Sequence, residues 1–91
     1  LNQISVAVAK TCNLTDKQLI GKAHTMELVN ARHIAMFLCR ELTSSSLISI
    51  GTYFGKRDHS TVIHACKTIE EKMNKDVGFA TNVNNIKNQL I

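Results

Sequence analysis

A run of polar side chains, Arg57-Asp58-His59-Ser60-Thr61, lies near the middle of the chain. Each of these side chains can donate or accept a hydrogen bond, and the run stands at the start of a segment with the apolar spacing of an amphipathic helix. In a helix-turn-helix the second helix enters the major groove of DNA, and its first turn contacts the base edges. The run therefore has the composition and position of a base-reading turn.

Ordinary structural roles remain open for every member of this run. Asp58 is well placed to cap the N-terminus of the following helix, and this role does not exclude base reading. The other members, Arg57, His59, Ser60 and Thr61, can equally be ordinary first-turn residues, solvated turn charges or surface histidines. The same holds for the neighbouring Lys56 and His64. The prediction of base reading depends on their combination.

Metal binding and catalysis are the other chemistries that four histidines and three cysteines could support. The chain has no Cys-x-x-Cys or His-x-x-x-His pair, which zinc sites usually use, and His59 and His64 fall on different sides of a helix. No phosphate-cradling G-x-x-x-x-G-K-[ST] loop is present. We therefore expect no metal, no catalytic residue and no cofactor in this chain, and we interpret Cys12, Cys39 and Cys66 as small core residues.

The elements that position the polar run begin with three helices. No proline interrupts the chain, so long helices are permitted, and apolar spacing predicts helices over about 3–11, 16–20 and 27–42. Asn2 is the predicted N-cap of the first helix, Thr15 and Gln18 are spaced as a capping box for the second, and 22–27 form a loop. The core face of the third helix is expected to contain Val29 or Asn30, His33 or Ile34, Phe37 and Leu38.

The next two segments, which follow a polar break at 43–46, have the pattern of a helix-turn-helix. The first has apolar residues at helical spacing and a terminal glycine suited to a tight turn, at Leu47, Ile50, Phe54 and Gly55. The second presents an apolar face at Val62, Cys66, Ile69 and Met73. A last helix packs back through Phe79, Val83, Ile86 and Leu90. The predicted fold is therefore all-α, a small helical bundle that contains a helix-turn-helix.

Length and charge agree with a small nucleic-acid-binding domain. The 91 residues suit one domain over 1–91, and the net charge of +4 arises mainly between Lys22 and Lys67, with six basic and three acidic residues. Such an excess suits a polyanion, although ordinary solvated surface would look similar. The start at Leu1 suggests a fragment of a longer protein. The absence of a signal peptide or of an apolar run of ~18 residues predicts a cytoplasmic protein.

Two segments resemble a known family. IGTYFGKRDHSTVIHACKTI, at 50–69, resembles the signature of the bacterial DnaA family of chromosomal replication initiators, and ARHIAMFLCRELT, at 31–43, resembles the long helix before it. The resemblance extends from about Val6 to Lys75. It implies a C-terminal DNA-binding domain of TrpR-like helical type that binds duplex boxes similar to TTATNCACA at the replication origin. It also implies a nucleoid-associated protein whose ATP-binding domain lies elsewhere in the full-length chain.

The resemblance also implies roles for most of the site residues. The major groove would be contacted by Arg57, Asp58, His59, Ser60 and Thr61, and the minor groove by His24 and Thr25. Phosphates would be held by Arg32, His33 and Arg40, and by the backbone at Leu47 and Ile48. The clustering of positive charge, and not the resemblance, predicts further phosphate contacts at Lys22, Lys56 and Lys67. The isolated domain is expected to be a monomer, with other replication proteins as possible partners.

Three positions depart from the family pattern: His24 where an arginine is usual, His33 where glutamine is usual, and Ile48 where proline is common. The first departure weakens the expected contact with the minor groove, because histidine is shorter than arginine and mostly neutral at pH 7. A transcription regulator with a similar helix-turn-helix and a protein-interaction module are the alternative functions.

Overall fold

The computed structural model describes every residue from Leu1 to Ile91, and helices are its only regular secondary structure. The six helices are α1 (Asn2–Thr11), α2 (Asp16–Leu19), α3 (Met26–Leu42), α4 (Leu47–Tyr53), α5 (His59–Lys75) and α6 (Val77–Leu90). The predicted all-α bundle is confirmed, and so is the capping box at Thr15 and Gln18. The first N-cap is Leu1 instead of Asn2. None of the helices combines the length and apolar character needed to cross a membrane.

Helix α3 is the central element, and α1, α2, α4 and α5 all pack against it. Ile34, Phe37 and Leu38 are buried as predicted. The burial extends much further around the helix, and Ala35, Met36 and Cys39 are completely inaccessible. A single apolar stripe could not predict this pattern, because neighbours on several sides of a helix bury more than one face.

The helix-turn-helix is formed by α4, α5 and a tight turn between them. Gly55 and Lys56 both have left-handed backbone conformations, with φ of 86° and 58°, and the turn closes through a 2.8 Å hydrogen bond from the Arg57 amide to the Gly51 carbonyl. A side chain at Gly51 would overlap the Arg57 carbonyl group. Glycine at Gly51 thus permits the close approach of α4 to the turn, whereas glycine at Gly55 relieves a strained φ.

A polar cluster around Asp16 joins the N-terminal helices to α4. The Asp16 carboxylate accepts hydrogen bonds from the hydroxyl groups of Ser5 and Tyr53, the latter at 3.1 Å. Ser5 is fully buried, so this bond satisfies a hydroxyl group that would otherwise be costly to bury. On the other side of the bundle α6 packs against α1 and α5, with Val83 and Ile86 buried as predicted.

Candidate nucleic-acid interface

The first turn of α5 is capped by Asp58. The Asp58 carboxylate accepts hydrogen bonds from the hydroxyl and from the backbone amide of Ser60, the latter at 3.4 Å, and its second oxygen lies 3.3 Å from Nδ1 of His59. The bonds from Ser60 are the main reason that the pKa of Asp58 is lowered. The predicted N-cap is confirmed, and the side chain presents an ionised carboxylate to solvent at neutral pH.

The side chains of this turn divide between solvent and a shallow notch. His59 and Ser60 are exposed, whereas Thr61 is half-buried and lines a notch of about 110 Å³ together with His24, His33 and Arg57. Val62, Ala65, Cys66 and Ile69 face the core. The amphipathic pattern therefore orients the polar first turn away from the protein, with Ile63, His64 and Lys67 exposed further along the helix.

Arg32 does not take the phosphate-binding position that the resemblance implies. The residue is 2% exposed, and its guanidinium donates hydrogen bonds to the carbonyls of Gln18, Leu19, Gly21 and Ala23. Burial and the nearby Arg57 charge lower its pKa, although an arginine remains protonated in proteins. The expectation is corrected because the donors of Arg32 are used to hold the end of α2 and the following loop.

Arg57 reaches the same place from the helix-turn-helix. Its guanidinium donates to the Phe54 carbonyl and, at 3.1 Å, to the Gly21 carbonyl that Arg32 also binds. We call this meeting of two guanidinium groups on one carbonyl the Gly21 junction. Arg57 is half-buried, and burial lowers its pKa. These bonds aim the guanidinium at the backbone and hold the loop after α2 beside the turn before α5.

The loop that was expected near the minor groove is exposed from Lys22 to Thr25. The Thr25 hydroxyl accepts a 3.3 Å hydrogen bond from the Leu28 amide and so caps α3. A hydroxyl group can still donate one bond while it accepts another. His24 borders the same notch as Arg57 and Thr61, so the fold brings this loop and the first turn of α5 together, although they are far apart in sequence.

His33 is half-buried between α3 and α5. Its ring packs edge-on against that of His64, with the centroids 6.0 Å apart and the planes at 85°. Burial, followed by the charges of His64 and Arg32, lowers the pKa of His33. A neutral imidazole can donate a hydrogen bond to a phosphate but brings no charge to it.

The remaining candidate phosphate contacts are exposed. They are the side chains of Lys22, Arg40, Lys56 and Lys67. Arg40 has a distant ion pair with Glu70, at 3.9 Å between two half-exposed side chains. At the start of α4 the Ser46 hydroxyl accepts from the Ser49 amide. The amides of Leu47 and Ile48 belong to the first turn, where a helix offers no acceptor of its own.

The structure adds two features that the sequence analysis did not identify. One is the Gly21 junction, whose acceptors are backbone carbonyls and leave no signal in a sequence. The other is the exposed Ile63 on the solvent side of α5, which a helical projection of the segment after Asp58 could have found.

No group of three or more histidine, cysteine or acidic side chains is arranged to hold a metal ion. Burial raises the pKa of the Cys39 thiol to about 12.

Comparison with known proteins places this geometry in a family. Residues 1–69 match the family model of the bacterial DnaA protein helix-turn-helix. The chain is 42% identical to the chromosomal replication initiator protein DnaA of Limosilactobacillus reuteri, over 98% of this chain and 21% of the relative. It is 39% identical to the protein of the same name from Streptococcus equi subsp. zooepidemicus, over 99% of this chain and 20% of the relative.

A solved structure agrees with this assignment. The crystal structure of a DNA replication initiation factor superposes with a TM-score of 0.84 and 34% sequence identity, covering 96% of this chain and 26% of the other. The chain spans about a fifth of the length of the curated relatives it matches. With its capped helix α5, its tight turn at Gly55 and these matches, the chain belongs to the DnaA family through the family's helix-turn-helix region.

Proposed function

We propose that this chain binds duplex DNA sequence-specifically, at boxes similar to TTATNCACA in a bacterial replication origin, and so takes part in the initiation of chromosome replication. The observation that carries the proposal is the exposed first turn of α5. It presents an ionised carboxylate, an imidazole and a hydroxyl group at the N-terminus of a helix whose opposite face is fixed in the core. This combination fits the major groove, where base edges offer donors and acceptors.

The surrounding charge supports the same orientation. Lys22, Arg40, Lys56 and Lys67 would neutralise phosphates, together with the amides at the start of α4 and a hydrogen bond from His33. The loop with His24 and Thr25 would approach the minor groove beside the contacted major groove. Arg57 would lie at the edge of the major groove and fix the turn that carries Asp58. Phosphate contacts position the protein, and base contacts select the sequence.

The family suggests the context in which this binding would act. The full-length initiator would carry ATP on a domain outside these 91 residues, and this segment would need no cofactor and perform no catalysis. Binding to the chromosome would place the protein in the cytoplasm, associated with the nucleoid. We expect the isolated segment to bind as a monomer, and other replication proteins would be its partners in the assembled complex.

The test separates base reading by Asp58 from its confirmed role as a cap. Asp58→Asn keeps a capping oxygen and removes the charge, whereas Asp58→Ala removes both. An aspartate can accept a hydrogen bond from cytosine N4, and its charge is repelled by phosphates. We therefore expect both variants to lose about tenfold in preference for the box, the order of one good base contact, while their binding to random duplex stays equal or rises slightly.

The measurement is a competition titration of each variant with box and scrambled duplexes, with helicity followed by circular dichroism. His59→Ala should behave like Asp58→Ala, and Lys75→Ala, at the far end of the same helix, is the control. Full discrimination by Asp58→Asn would show that Asp58 is only a cap. Equal losses on both duplexes with intact helicity would contradict sequence reading by this turn, and a wild type without preference for the box would refute the proposed function.

A further inference from the structure

The solvent side of α5 carries one large apolar side chain among polar ones. Ile63 is 46% exposed. At roughly 100° per residue in an α-helix, it projects about 40° from His59 and about 60° from Ser60, so it lies between their directions and one turn further along. Lys67 continues the same face. Ile63 therefore occupies the middle of the surface whose first turn is proposed to read bases.

The position of Ile63 differs from that of most other exposed apolar residues in the chain. Met26, Ile48 and Val77 lie in the first turns of α3, α4 and α6, and Ile91 is the last residue. Exposure at a helix end is ordinary, because fewer neighbours can cover the side chain there. Only Val6 and Ile63 are exposed within the interior of a helix, and Val6 belongs to α1, outside the helix-turn-helix.

An isoleucine in the major groove has one kind of partner. It has no donor or acceptor, so it cannot bond to the polar edges of guanine, adenine or cytosine, and covering those edges would leave their groups unsatisfied. The apolar group that the major groove offers is the 5-methyl of thymine. The χ1 angle of a β-branched residue is nearly fixed in a helix, so the branched Cγ2 methyl group of Ile63 has a nearly fixed direction on this face.

We infer that Ile63 is a specificity-determining residue that packs against the 5-methyl group of a thymine in the bound duplex. The inference rests on the proposed function, because it requires α5 to lie in the major groove. His59 and Ser60 would bond to polar base edges on either side of this contact. Ile63 would then favour thymine over cytosine at one position of the box. Cytosine lacks the methyl group, and it has an amino donor where thymine has the O4 acceptor.

The test removes one methyl group from the DNA and one side chain from the protein. Each thymine of a TTATNCACA duplex, on either strand, is replaced in turn by deoxyuridine, which keeps every hydrogen-bonding group and lacks only the methyl. Wild type, Ile63→Ala, Ile63→Val and the control Val6→Ala are titrated by fluorescence anisotropy. At one thymine we expect the replacement to weaken wild type and Val6→Ala about fourfold, the effect of one buried methyl group.

The same replacement should not change the affinity of Ile63→Ala, whereas Ile63→Val should keep most of the wild-type response because it retains a branched methyl group. Circular dichroism establishes that each variant is folded. An equal response of wild type and Ile63→Ala at every thymine would overturn the inference while the proposed function stands. A wild type that binds the unmodified box no better than scrambled duplex would refute the proposed function and this inference with it.

Discussion

The cationic side chains of this domain use their charge in two different ways in two regions. At the Gly21 junction, Arg32 and Arg57 direct their guanidinium groups at backbone carbonyls and are wholly or partly buried. On the outer surface, Arg40 and Lys67 remain exposed. An arginine carries five donors that suit a carbonyl cluster or a phosphate equally well, so the residue type does not reveal the role. The burial of an arginine therefore indicates whether it stabilises the fold or is available to bind a phosphate.

The largest expected difference between the two regions is the loss of stability in Arg32→Ala. Hydrogen bonds to charged groups and the carbonyls left without a partner together predict a loss of about 3 kcal/mol in the free energy of unfolding. Arg32→Lys should recover only part of this loss, because an ammonium group cannot reach several carbonyls as a planar fork does. Urea denaturation measures both, and the exposed Arg40→Ala should stay within about 0.5 kcal/mol of wild type. A similar stability for Arg32→Ala and Arg40→Ala would show that the buried arginine contributes no more to the fold than the exposed one.

Arg40→Ala tests the outer region through DNA affinity. With Arg32 buried and Arg57 held by carbonyls, four exposed cations remain of the six basic residues between Lys22 and Lys67, and the log-log salt slope should reach about −4 at most, instead of about −5 for six contacts. Arg40→Ala should weaken box and scrambled duplexes alike and reduce the slope by about 0.9. Lys75→Ala, about 12 Å further along α5 than Lys67, should leave the slope unchanged. A wild-type slope near zero would contradict phosphate binding altogether.

His24→Arg tests the exposed loop after α2, which the Gly21 junction holds in place. An arginine is attracted into the narrow minor groove of A·T-rich DNA, so this variant should bind the box a few-fold more tightly, whereas His24→Ala should change the affinity little. Anisotropy titrations at constant salt provide the measurement. Weaker binding by His24→Arg than by wild type would mean that the loop does not face the minor groove.

The smallest expected effect is a pH dependence of stability caused by His33, which is half-buried beside Arg32 and His64. Because its pKa is lowered from 6.5 in the folded chain, the unfolded chain binds a proton more readily as the pH falls. Stability should therefore decrease below about pH 6.5 and level off once the pH is below the folded pKa. His33→Gln should remove this part of the pH dependence in urea titrations between pH 7 and pH 5. An unchanged dependence would assign it to other groups.

Local sequence patterns predicted the parts of this fold that depend on local chemistry. The cap at Asp58 and the turn at Gly55 each follow from residue types a few positions apart, and the structure confirms both. The capping box at Thr15 is equally local. The first N-cap was wrong, because α1 already begins at Asn2. Patterns of this kind fix the elements that place the candidate site.

The interior roles were less predictable, because they depend on neighbours that are distant in sequence. Arg32 has the same appearance in the sequence as an exposed arginine, and only the packing of α3 against α2 places carbonyls around it. The close approach at Gly51 depends similarly on the turn that follows α4. The contacts of the other candidate site residues with DNA stay predictions.

The Gly21 junction also bears on the thermodynamics and speed of binding. A flexible loop that becomes ordered only on DNA would lose conformational entropy during association. Here the backbone beside Lys22 is held by Arg32 and Arg57 before any ligand arrives, so that ordering is completed when the chain folds. The loop after α2 and the first turn of α5 are thus held in a fixed relative orientation and could engage neighbouring grooves in one rigid docking event. The association rate would then depend on electrostatic steering by the exposed cations.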